Sequence, residues 1–68
     1  MNRQPLKDKF GRIYGYLDID SNGIVYAKDE SGRIIAVYNP ATNATTDYAS
    51  GRILGYGNTA AAYVVNKN

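Results

Sequence analysis

Cysteine, histidine and tryptophan are all absent from the 68 residues of this chain. Without cysteine there can be no disulfides, and without cysteine or histidine the ordinary zinc sites are excluded. A catalytic nucleophile or general base would have to be a carboxylate or a hydroxyl, with no imidazole or thiol to tune it, so the composition argues against an enzyme. No apolar run approaches the roughly 20 residues of a membrane-spanning helix. The first residues, Met1-Asn2-Arg3-Gln4-Pro5, lack the apolar stretch of a signal peptide. These absences predict a soluble, cytoplasmic, non-catalytic protein with no cofactor and no membrane partner.

The length accommodates a single domain over residues 1–68, and a domain this small buries only about 60% of the surface its unfolded chain exposes. Small chains usually add disulfides, a metal or a partner. With the first excluded and the common zinc sites gone, sheet closure or oligomerisation is left. The net charge of +2 is unevenly spread: Arg3, Lys7, Lys9 and Arg12 dominate the start, whereas Asp18, Asp20, Asp29 and Glu30 surround Lys28. Opposite poles of this kind can favour association or remain a solvated surface. A strong nucleic-acid footprint would be denser in Lys and Arg.

What is present is an internal repeat. Asp8-Lys9-Phe10-Gly11-Arg12-Ile13, Asp29-Glu30-Ser31-Gly32-Arg33-Ile34 and Asp47-Tyr48-Ala49-Ser50-Gly51-Arg52-Ile53 align on Gly-Arg-Ile, the third carrying one extra residue. An Asp that accepts backbone amides, followed by a Gly free to take positive φ, marks a type I turn closed by a glycine bulge. The Ile, Tyr, Val and Leu that follow suit a strand. Return strands are expected near Ile24 to Lys28, Ala44 to Tyr48 and Ala61 to Val65, with Thr59-Ala60-Ala61-Ala62 able to form a short turn of helix instead. The predicted fold is all-β: three consecutive antiparallel hairpin repeats, about seven short strands, in a compact barrel-like or pseudo-symmetric arrangement.

Strand alternation sorts the side chains. Ile13, Ile34 and Ile53 fall on one face, each followed two residues later by a small residue, Gly15, Ala36 or Gly55, which predicts close approach on that side. The opposite face carries Arg12, Arg33 and Arg52, then Tyr14, Ile35 and Leu54, then Tyr16, Val37 and Tyr56. Two apolar faces both need cover, so this second set is the candidate interface.

The Asp-x-x-Gly-Arg-Ile pattern resembles the YD repeats of Rhs-type proteins. Gly15-Tyr16-Leu17-Asp18, running to Ile24-Val25-Tyr26 and Asp29-x-x-Gly32, resembles more closely the 4-fold beta flower domains, small bacterial proteins that repeat a hairpin around a pseudo-symmetric centre. The second resemblance covers Leu6 to Val65 and implies a flower-like arrangement, but no catalytic residue or ligand. Choline-binding repeats have a similar period but need tryptophans to cage the ammonium group.

Three constellations carry possible chemistry. Asp18, Asp20 and Asn22, followed by Gly23 and later Asp29, match the alternating oxygen ligands of a calcium loop, although Asn22-Gly23 also reads as a hairpin turn. The three repeat arginines could gather around an anion or pair with their own turns, Asp8 with Arg12, Asp29 with Arg33 and Asp47 with Arg52. Tyr14, Tyr16 and Tyr56, among seven tyrosines, could stack bases or anchor an interface.

The leading expectation is a binding or assembly module acting through a homo-oligomer or another protein. The alternatives are a small β-barrel that binds nucleic acid through its Tyr and Arg surface, and a phage or mobile-element protein that occludes a host defence protein.

Overall fold

A computed structural model describes residues 2–64. Six strands follow one another as a meander: β1 (Asn2–Lys7), β2 (Ile13–Ile19), β3 (Val25–Asp29), β4 (Ile34–Asn39), β5 (Ala44–Asp47) and β6 (Ile53–Tyr56). All neighbours pair antiparallel in the order β1-β2-β3-β4-β5-β6. The all-β hairpin architecture is therefore as expected, but the sheet is open, with β1 and β6 as its edges.

The repeat turns form as their residues dictate. The Gly11 amide donates to the Asp8 carbonyl and the Gly32 amide to that of Asp29, both at 3.0 Å, with φ of +81° and +93° at the two glycines. The longer third turn closes from the Gly51 amide to the Asp47 carbonyl at 2.7 Å. A fourth turn of the same kind, Asp20-Ser21-Asn22-Gly23, joins β2 to β3, its Gly23 amide donating to the Asp20 carbonyl at 3.1 Å.

Beyond each Gly-Arg-Ile the register slips by one residue. Lys7 faces Ile13 while Leu6 faces Gly15; Lys28 faces Ile34 while Ala27 faces Ala36; Thr46 faces Ile53 while Thr45 faces Gly55. Tyr14, Ile35 and Leu54 are thus the extra residues of three β-bulges at equivalent places. The bulge overturns the expected alternation. Each Ile lies on the opposite face from the small residue two positions later, and Ile13 and Ile53 are among the exposed large apolar side chains.

The last return strand is also replaced. After Gly57 at φ +85° the chain leaves the sheet edge and forms a 3-10 helix, η1 (Ala60–Tyr63); Val65, the end of the expected strand, lies outside the described residues. Thr59 starts this crossing beside β5, its amide donating to Thr45 Oγ1 at 3.3 Å, and Val64 ends it against Gly15 of β2. Ala60 and Val64 pack on Ala27 and Ala36, surrounded by Leu6, Tyr14, Leu17, Tyr38 and Tyr63. Small side chains on both sides let the helix backbone settle close to the sheet, so one face is covered by a crossing segment and not by closure into a barrel. No helix among the described residues is long and apolar enough to cross a membrane.

Candidate interaction surface on the last hairpin

On the face away from η1, β2 carries the buried Asp18 between β1 and β3. Asp18 is 1% exposed and accepts from Arg3 Nε at 2.6 Å, Arg3 Nη2 at 2.8 Å and Lys28 Nζ at 2.7 Å. The two cations hold its carboxyl far below the usual carboxylate range, the Arg3 hydrogen bond contributing most and Lys28 next, against the opposing effect of burial. Arg3 also lies over the Tyr16 ring at 4.9 Å. Asp18 therefore acts within the sheet and does not join Asp20.

Asp20 Oδ1 accepts the amides of Asn22 and Ile24 at 2.9 and 3.0 Å, and Asp29 sits at the other end of β3. The calcium-loop set of Asp18, Asp20, Asn22 and Asp29 is thereby dispersed. Among the described residues no group of three or more His, Cys, Asp or Glu is placed to hold a metal.

The turn carboxylates serve the backbone in the same way. Asp8 Oδ1 accepts from Phe10 and Arg12 amides, and Asp29 Oδ1 from the amides of Ser31 and Arg33 and the Ser31 hydroxyl. Asp47 Oδ2 accepts the Ser50 amide and hydroxyl. The serine hydroxyls are the first cause of lowered carboxyl pKa at Asp29 and Asp47. Of the three expected ion pairs, Arg12 to Asp8 forms at 3.6 Å; those of Arg33 and Arg52 with their own turns do not form within 4 Å among the described residues. The turn hydrogen bonds do not exclude such a pair, since Asp8 serves the turn amides through Oδ1 and meets Arg12 through Oδ2.

The nine candidate interface residues separate into groups. Tyr14 packs against the cluster under η1, whereas Tyr16 lies on the other face beside Arg3. Val37 is half-buried in the middle of that second face, opposite Tyr26 and Thr46. Arg12 lies over Phe10 at the β1–β2 turn. Tyr56 is four strands from Tyr16, about 19 Å at ordinary strand spacing, so Tyr14, Tyr16 and Tyr56 make no common stacking platform.

Arg33 and Ile35 lie beside the start of the β5–β6 turn, whereas Arg52, Leu54 and Tyr56 belong to the second arm of that hairpin. Arg33, Ile34, Ile35, Asp47, Tyr48 and Ala49 line an open groove at the start of the turn. Of the six exposed large apolar side chains among the described residues, four belong to this hairpin: Tyr48, Ile53, Leu54 and Tyr56, at 57%, 58%, 38% and 71% exposure. Tyr48 and Ile53 were not in the candidate set. Among the described residues no strand follows β6 to cover them. From the helix side, the Tyr63 hydroxyl donates to the Leu54 carbonyl at 3.3 Å and ties β6 to η1.

Comparison with known protein families, curated proteins and solved structures finds no match.

Proposed function

We propose that this is a non-catalytic binding or assembly module whose interaction surface is the β5–β6 hairpin. The observation that carries the reading is the concentration of Tyr48, Ile53, Leu54 and Tyr56 on one edge hairpin, beside the groove floored by Ile34 and Ile35. Apolar side chains at the rim of a sheet, next to strand edge, are what a protein partner covers. The absence of cysteine suits a cytoplasmic site of action. A barrel-like or flower-like arrangement, as the resemblance to the beta flower domains implies, would then belong to an assembly and not to one chain.

The test compares the parent with a hairpin variant carrying Tyr48→Ser and Ile53→Lys. The parent is expected to self-associate or to retain a specific protein on an affinity column, and the variant to lose that interaction while keeping its β-sheet circular dichroism. An interaction of equal strength in both proteins would remove the hairpin as the surface.

A further inference from the structure

The two edges of the sheet are unlike. β1 carries Arg3, Pro5 and Lys7, and proline and charge are the ordinary means by which an edge refuses another strand. β6 reads Ile53-Leu54-Gly55-Tyr56, with neither, and among the described residues no strand pairs with its outer side, away from β5. One edge is guarded by proline and charge; the other has neither, and of its four residues Leu54 gives its carbonyl to the Tyr63 hydroxyl.

We propose that β6 pairs antiparallel with β6 of a second copy of this chain across a two-fold axis, joining two six-stranded sheets edge to edge. The proposal rests on the reading of the last hairpin as the interaction surface and names its occupant. The bulge at Leu54 supplies the first argument. Ile53 faces Thr46 and Tyr56 faces Ala44, positions two apart on β5, so Ile53 and Tyr56 share a face although they are three apart in sequence. A two-fold through the middle of β6 lays Ile53 of each copy beside Tyr56 of the other, twice, and β-branched residues pair favourably with aromatics across strands.

Charge supplies the second argument. Arg52 borders β6 at one end, and from Ile53 to Asn66 the chain carries no charge. Antiparallel pairing sends the two Arg52 side chains to opposite ends of the junction, where parallel pairing would set them side by side. The third argument is the thin core: among the described residues its buried apolar side chains are Val25, Ala27, Ala36, Ala44, Ala60 and Val64, none larger than valine. A chain with so little apolar volume inside gains from a partner. The guarded β1 edges then face outward, so assembly stops at two copies. Pairing over one short strand covers less than the roughly 1,200–2,000 Å² of a stable interface, so the dimer dissociates on dilution.

The test is a sedimentation series on the full chain. The mass is expected to rise with concentration from 7.5 kDa toward twice that value. Ile53→Lys and Tyr56→Lys should each hold the chain at monomer mass, and Phe10→Lys, at an equally exposed apolar site on the β1–β2 turn, should leave the dimer unchanged. Monomer mass up to millimolar concentration overturns the second copy as occupant while leaving the hairpin available to a different protein. A dimer of undiminished strength in both lysine variants overturns this pairing and the hairpin surface together.

Discussion

Arg3 grips Asp18 across the first strand pair through both carboxylate oxygens, Nε to Oδ1 at 2.6 Å and Nη2 to Oδ2 at 2.8 Å. The two residues are directly opposite in the β1–β2 register, and Lys28 reaches the same carboxylate from β3. One buried anion thus holds three strands, including the edge strand that η1 does not cross.

Replacing Asp18 by Asn should cost about 2–3 kcal/mol of unfolding free energy, measured by urea denaturation. Removing one member of a buried ion pair leaves its partners uncompensated, but the Arg3 side chain is 55% exposed and can recover water, which keeps the loss below that of a fully buried pair. Arg3→Gln should cost less, because Lys28 still neutralises Asp18. Equal losses in the two variants would mean that Lys28 contributes little.

The same carboxylate sets an acid limit. Asp18, Asp29 and Asp47 all have folded-state pKa values below their ordinary one. A depressed folded pKa stabilises the protein above the unfolded value of about 3.9 and is lost as pH falls through the folded value. With no histidine in the chain, the unfolding midpoint should be flat from about pH 5 to 8 and should drop below about pH 4. Asp18→Asn should make that acid drop shallower. A parent midpoint unchanged at pH 2.5 would refute the assigned role of these carboxylates.

How far the sequence discloses this arrangement depends on the range of the interaction. Asp and Gly three apart, or four in the third unit, specify a turn through contacts inside six residues, so the turns at Asp8, Asp29 and Asp47 are readable directly. Asp20 makes the same turn, yet its spacing from Asp18 and Asn22 imitates oxygen ligands, and local pattern alone does not separate the two. The Arg3–Asp18–Lys28 set spans 15 and 10 residues and exists only once the strand register is known. That register hinges on the bulges at Tyr14, Ile35 and Leu54, which shift each preceding Ile to the other face with no local residue marking the slip. The candidate interface is divided by the place of each strand in the sheet: Tyr14, on the inner strand β2, packs on the core, while Leu54, at the equivalent bulge, and Tyr56 lie on the edge strand β6.

Gly15 and Gly55 occupy equivalent places in the repeat but should respond differently to Ala. A Cβ at Gly15 would meet the Lys28 carbonyl oxygen and Val64 Cγ1, each at 2.6 Å, whereas at Gly55 the nearest atoms are 3.9 Å away. Overpacking of this kind typically costs about 1–3 kcal/mol, so Gly15→Ala should lower the thermal midpoint clearly. Gly55→Ala should stay within about 1 kcal/mol of the parent. Equal tolerance at both would show that Val64 does not rest on Gly15.

The fourth turn offers a test of what its acidic residue does. Asp20 Oδ1 accepts two backbone amides, those of Asn22 and Ile24, and an asparagine carbonyl oxygen can accept the same two. Asp20→Asn should therefore keep most of the stability, while Asp20→Ala should lose about 1 kcal/mol, the usual net worth of such bonds. A calcium-binding role gives the opposite order of evidence: millimolar calcium would raise the midpoint of the parent and not of Asp20→Asn. Because Asp18 faces Arg3 and Lys28, and Asp29 ends β3 and serves its own turn, the expected result is no calcium shift in either protein. A calcium-dependent rise confined to the parent would establish that Asp18 can leave its two cations, and would reverse the assignment of this loop.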